Sequence, residues 1–190
     1  MGVDFTAVLD HGLTWEELYR LPATLNSGWT TPSSLGAFLS AYPTAGTDWH
    51  WRISPTFSSA AEELFDEGYV RLEGPSGFGA WVFKGVIEVT SVARWWSFLF
   101  EQDVRAGLLV GVRSLASILR SSTIVYLPDS AYPPSAASDR LHEGAGVAEV
   151  VSWLQANVGA AALSPDAIRG ADEDHWDESG YIIERLKAAG

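Results

Sequence analysis

The chain switches between two hydrophobic periods, and the switches mark its elements. Val3–Leu9 is rich in β-branched and aromatic residues and reads as a strand running into Asp10-His11-Gly12. Thr14 and Glu17 then have the spacing of a capping box, with Leu13 and Leu18 placed as a hydrophobic staple, so a short helix starts here and closes at Pro22. Thr31-Pro32 is a second helix start, after which Leu35, Phe38, Leu39 and Tyr42 share one face until Pro43. Trp49, Trp51 and Ile53 alternate with His50 and Arg52, an extended pattern. Ala60 to Glu67 predicts a third short helix, capped by Gly68.

The middle of the chain is β-rich. Tyr69–Glu73, Phe78–Phe83 and Val86–Thr90 read as a meander joined by Gly74-Pro75-Ser76-Gly77 and by Lys84-Gly85. A long helix follows from about Glu101 to Leu119, because Val104, Leu108, Val112, Leu115 and Leu119 form one continuous apolar stripe. Thr123–Leu127 is a short buried strand ending at Pro128, and Val147, Val150, Val151, Leu154 and Val158 mark a last helix. The tail from Gly180 to Lys187 fits a strand or a short helix equally. Strands bunched in the middle argue for an α+β fold, with a mixed or antiparallel sheet around a central meander packed by several helices. With no linker-like stretch, residues 1–190 read as a single globular domain.

Charge changes the picture more than size does. There are 24 acidic and 12 basic residues, a net charge of −12, and the excess is spread evenly over both halves of the chain. A body this negative repels phosphate, so no nucleic acid and no anionic membrane is expected as partner; a basic protein is. The absence of cysteine excludes thiolate chemistry and disulfides. No signal peptide is read at Met1-Gly2-Val3-Asp4-Phe5, and the richest apolar run, Ala106 to Val112, is too short to span a bilayer, which makes a cytoplasmic location the expectation.

Candidate chemistry is thin. Two predicted strands end in aspartate, one at Asp10-His11 and one at Asp129-Ser130. If those ends lie side by side, Asp10, His11, Asp129 and Ser130 form a small hydrolase-like site with His11 as base; the alternative is that both aspartates cap turns. His11, His50, His142 and His175 have no metal-site spacing, and neither a metal nor a cofactor is expected. Asp172-Glu173-Asp174-His175-Trp176-Asp177-Glu178 puts five carboxylates in seven residues but departs from the EF-hand pattern; docking a cationic protein surface is its preferred functional reading, and a solvated loop the plain one. Arg105, Arg113 and Arg120 share one side of the long helix, a candidate anion face. Gly107 and Gly111 on the same helix predict close packing of a neighbouring element.

Nine tryptophans are many for 190 residues. Trp95 and Trp96 are adjacent, so on a strand one of them faces outward, and exposed tryptophan marks protein interfaces or sugar-binding surfaces. Trp95, Trp96, Asp172, Asp174, Trp176 and Asp177 are therefore the candidate partner-binding residues, while Trp49, Trp51 and Trp95 would serve a carbohydrate-binding module.

Three stretches, Val3-Asp4-Phe5-Thr6 through Asp10-His11, Arg94-Trp95-Trp96, and Ile124-Val125-Tyr126-Leu127-Pro128-Asp129-Ser130, resemble a group of bacterial proteins of about this length for which no activity is assigned. That resemblance implies no catalytic residue. The small acidic character is also similar in style to immunity proteins and antitoxins. With no intact catalytic motif, a non-catalytic interaction module that binds a basic protein leads, ahead of a small hydrolase and a carbohydrate-binding module.

Overall fold

The computed structural model describes residues 3–36, 38, 50–54, 69–129, 136–171 and 180–187. Its centre is one seven-stranded antiparallel sheet in the order β2-β3-β4-β5-β1-β6-β7. The strands are β1 (Asp4–Asp10), β2 (Arg52–Ile53), β3 (Tyr69–Glu73), β4 (Gly79–Phe83), β5 (Val86–Arg94), β6 (Thr123–Pro128) and β7 (Ile182–Arg185). The meander β3-β4-β5 is joined by the expected turns, and Lys84-Gly85 closes a tight hairpin because Gly85 adopts φ +84, which a side chain would disfavour. The tail resolves as a strand: β7 pairs with β6, with Tyr126 opposite Ile182.

Helices cover both sheet faces. On one face lie α1 (Trp15–Tyr19), α2 (Leu21–Gly28), α3 (Trp95–Phe100) and α4 (Gln102–Leu119), which bury the side chains of Phe5, Ala7, Leu9, Ile87, Val89, Ile124 and Tyr126 in the larger core. On the other face α5 (Ala136–His142) and α6 (Val147–Asn157) pack on Val8, Val86, Val125 and Leu127. The alternation of β1 thus feeds two cores, Phe5, Ala7 and Leu9 into one and Val8 into the other. A further helix, α7 (Pro165–Ala171), packs beside α3.

Local signals explain most starts and stops. Thr14 and Glu17 form a complete capping box, the Thr14 amide donating to Glu17 Oε2 at 2.7 Å. Pro22 does more than close α1: it sits in the first turn of α2, where its missing N–H costs nothing. The α4 stripe is fully buried, and Gly107 is needed because a Cβ there would stand 2.4 Å from Leu35 Cγ. Trp95 and Trp96 belong to a helix rather than a strand. Of the second predicted helix, Ser33–Leu35 forms a 3-10 turn and its remainder lies largely outside the described residues, as do Trp49 and the predicted helix at 60–67.

Candidate functional site

The antiparallel pairing of β1 with β6 settles the geometry of the strand-end residues. Leu9 is opposite Ile124 and Phe5 opposite Pro128, so the carboxyl ends of these two strands point in opposite directions. Asp10 therefore lies at one end of the sheet and Asp129 beside Asp4 at the other. Six residues at about 3.3 Å each separate them by roughly 20 Å, far beyond hydrogen-bond reach. The expected Asp10–His11–Asp129–Ser130 site is not assembled; Ser130 itself lies outside the described residues.

Each member has a structural task instead. Asp10 Oδ1 accepts the amides of Ser122 (2.9 Å) and Thr123 (2.8 Å), and Oδ2 accepts the Ser122 hydroxyl at 2.5 Å. Asp129 Oδ1 accepts the Asp4 amide at 2.8 Å. His11 is bound to backbone: its Nδ1 accepts the Leu13 amide at 3.3 Å, and its Nε2 accepts the Gly85 amide at 3.0 Å and stands 3.0 Å from the Phe83 carbonyl. Burial pushes the His11 pKa below its ordinary value, against the opposing pull of Phe83 and Asp10. An imidazole held this way stitches β1 to the β4–β5 turn.

The tryptophans divide by burial. Trp95 is 0% exposed, stacked on Phe98 at 5.0 Å, so it is a core residue and not a partner contact. Trp51 is 2% exposed, which removes it and Trp95 from a sugar-binding role; Trp49 is outside the described residues. Trp96 is 45% exposed and its ring stacks on Phe100 at 5.1 Å and 20°. Arg169 of α7 lies over the Phe100 ring at 5.6 Å, and exposed Asp103 follows three residues on. The acidic stretch with Asp172, Asp174, Trp176 and Asp177 begins in sequence directly after α7 and lies outside the described residues.

The candidate anion face is neutralised. Arg105 meets Asp166 at 3.2 Å, Arg113 meets Glu184 at 2.8 Å, and Arg120 meets Glu17 at 2.6 Å. Among the described residues no group of three or more histidine, aspartate or glutamate side chains is arranged to hold a metal ion, and no helix is long and apolar enough to cross a membrane.

One polar cluster escaped the sequence. Glu88 on β5 is 5% exposed, and its Oε1 accepts the Ser138 hydroxyl of α5 at 2.5 Å. Burial holds the Glu88 carboxyl above its usual range; Ser138 and His142 pull it down, while Asp129 and Asp139 push it further up. One turn after Ser138, the exposed His142 packs edge-on against Tyr69, Trp81 and Phe83, with ring centroids 5.2, 5.8 and 5.0 Å away. Thr6, on the same sheet face by its register with Thr90, has a buried hydroxyl with no hydrogen-bond partner among the described residues. Alternation places Glu88 opposite Ile87 and Val89, which in a two-layer fold means solvent. Only the one-turn spacing of Ser138 and His142 hinted at α5, the helix that covers it. Comparison with known proteins returns no matching family model, no matching curated protein and no matching solved structure.

Proposed function

We propose that the chain is a non-catalytic protein-interaction module of immunity-protein style that docks a basic partner around Trp96. The observation that carries this reading is the exposed Trp96 ring, stacked on Phe100 and held by a short helix whose other side is locked into the core through Trp95 and Phe98. A pre-ordered aromatic of this kind loses little side-chain freedom on binding, which is why tryptophan dominates interface energetics. Glu101 and Asp103 follow Phe100 in the chain, the acidic run from Asp172 to Glu178 follows α7 in sequence, and the net charge of −12 favours a cationic partner. The dispersal of the strand-end residues leaves the hydrolase reading without a site.

The test has two stages. Affinity capture from the native host at low salt identifies a basic protein, and titration calorimetry with that purified protein compares the wild type with Trp96→Ala. Binding at least tenfold weaker in the variant, and weakening with added salt, supports the proposal. Equal affinity of the two proteins overturns it.

A further inference from the structure

The buried acid under α5 has no counterpart in the docking face. Glu88 is the third residue of β5, with Ile87 and Val89 turned into the larger core and its own side chain turned towards α5. A carboxylate has about four acceptor positions, and Ser138 supplies one short hydrogen bond. The side chain is 5% exposed, so water contributes little, and an ionised carboxylate in such a place is costly unless it is paired. The charged groups facing it are Asp139 and His142 from α5 and Asp129 from the end of β6, two carboxylates against one imidazole. Its direct cross-strand neighbours on the same face, Val8 and Trp81, bring no charge.

The element on top is short. Helix α5 has seven residues; it buries Ala137 and Leu141 and meets the sheet through Ser138 and the His142 ring, while Asp139, Arg140 and His142 remain exposed. We propose that Glu88 is a proton-operated catch for α5: the neutral acid lets the helix sit on the sheet through Ser138, and ionisation lifts the helix so that water reaches the carboxylate. Lifting α5 also withdraws His142 from Tyr69, Trp81 and Phe83, uncovering an aromatic surface on the face opposite Trp96.

Linkage sets the sign. The acid binds its proton more tightly with α5 seated than with α5 lifted, so the opening constant rises with pH, about tenfold per unit between the two pKa values, and is flat outside that window. Amide exchange of Leu141 and His142, corrected for the intrinsic base-catalysed rate, reads this constant directly between pH 5 and 9. Glu88→Gln should give a flat profile with α5 protected throughout. Asp139→Asn should narrow the window, and His142→Gln should keep the dependence. A pH-independent opening constant in the wild type overturns the proposal, as does an unchanged profile in Glu88→Gln or a flat one in His142→Gln. Should the Glu88 variant not fold, the carboxyl carbon shift of Glu88 in the wild type decides: titration at or below the ordinary value of 4.5 overturns the catch, and titration above it supports it.

Discussion

Asp10 and Asp129 hold the same antiparallel strand pair from opposite ends. The Asp10 carboxylate receives the amides of Ser122, just before β6, and of Thr123, its first residue, and the Asp129 carboxylate receives the first amide of β1, at Asp4. Asp10 is the last residue of β1 and Asp129 the first beyond β6, and each ties down the start of the other strand. The Asp4 carbonyl returns the favour by accepting the Asp129 amide at 3.0 Å. The central pair β1–β6, on which both cores are built, is clamped at both ends.

Removing one clamp should cost stability without touching any binding surface. Asp10→Ala leaves the amides of Ser122 and Thr123 and the Ser122 hydroxyl without their carboxylate. Hydrogen bonds to a charged group are worth about 1.5–3 kcal/mol, so a loss of about 2 kcal/mol is expected in urea unfolding. Affinity for a partner docked at Trp96 should not change.

The two neighbouring tryptophans should separate cleanly. Trp95→Ala empties a fully buried ring site between Phe5 and Phe98 and should cost about 3–5 kcal/mol in thermal or chemical unfolding. Trp96→Ala removes a ring that is 45% exposed and should cost about 1 kcal/mol or less. Equal losses in the two variants would contradict the burial difference between them.

His11 gives stability a pH dependence of definite sign. Its folded-state pKa lies below the ordinary 6.5, so the unfolded chain binds the proton more tightly. The contribution is complete above about pH 6.5 and is lost as pH falls through the depressed folded value. Unfolding free energies from pH 8 down to 5 should therefore decline more steeply in the wild type than in His11→Gln. Glu88 acts with the opposite sign, its contribution being lost as pH rises, so the comparison with the His11 variant is what isolates the imidazole.

Close packing at Gly107 is testable by addition rather than removal. Alanine is the better helix former by about 1 kcal/mol, yet its Cβ would stand 2.4 Å from Leu35 Cγ and 2.8 Å from Ser34 Oγ. Overpacking of this kind costs about 1–3 kcal/mol, so Gly107→Ala should be net destabilising. Adding Leu35→Ala should make the glycine substitution markedly less harmful than it is alone, as measured by a double-mutant cycle.

Glu184 joins three elements and should be more sensitive than either partner. It accepts two bonds from Arg113 of α4 and the Tyr126 hydroxyl at 2.7 Å. Tyr126→Phe removes one bond and should cost about 1 kcal/mol. Glu184→Ala leaves a buried hydroxyl and a guanidinium without their acceptor and should cost about 2–3 kcal/mol in the same unfolding assay.

How much of this was legible depended on the range of the interaction. The capping box at Thr14 and Glu17, the apolar stripe of α4, the meander turns and the strand at Thr123 are written in neighbours a few residues apart, so periodicity and turn chemistry alone determined them. Of the glycine pair, Gly107 likewise marked a close approach, whereas a Cβ at Gly111 would meet its neighbours at ordinary contact distance. The helix at Trp95–Phe100 was not legible: six consecutive residues, mostly apolar, carry no period that separates helix from strand, and the large core they join decides. What only the tertiary structure decided was direction and depth. Whether Asp10 and Asp129 meet depends on the sense of pairing between strands more than a hundred residues apart, and whether Glu88 is solvated depends on a helix laid over it from fifty residues away. Both are non-local, since the same alternating strand serves a parallel or antiparallel neighbour and an open or covered face equally well.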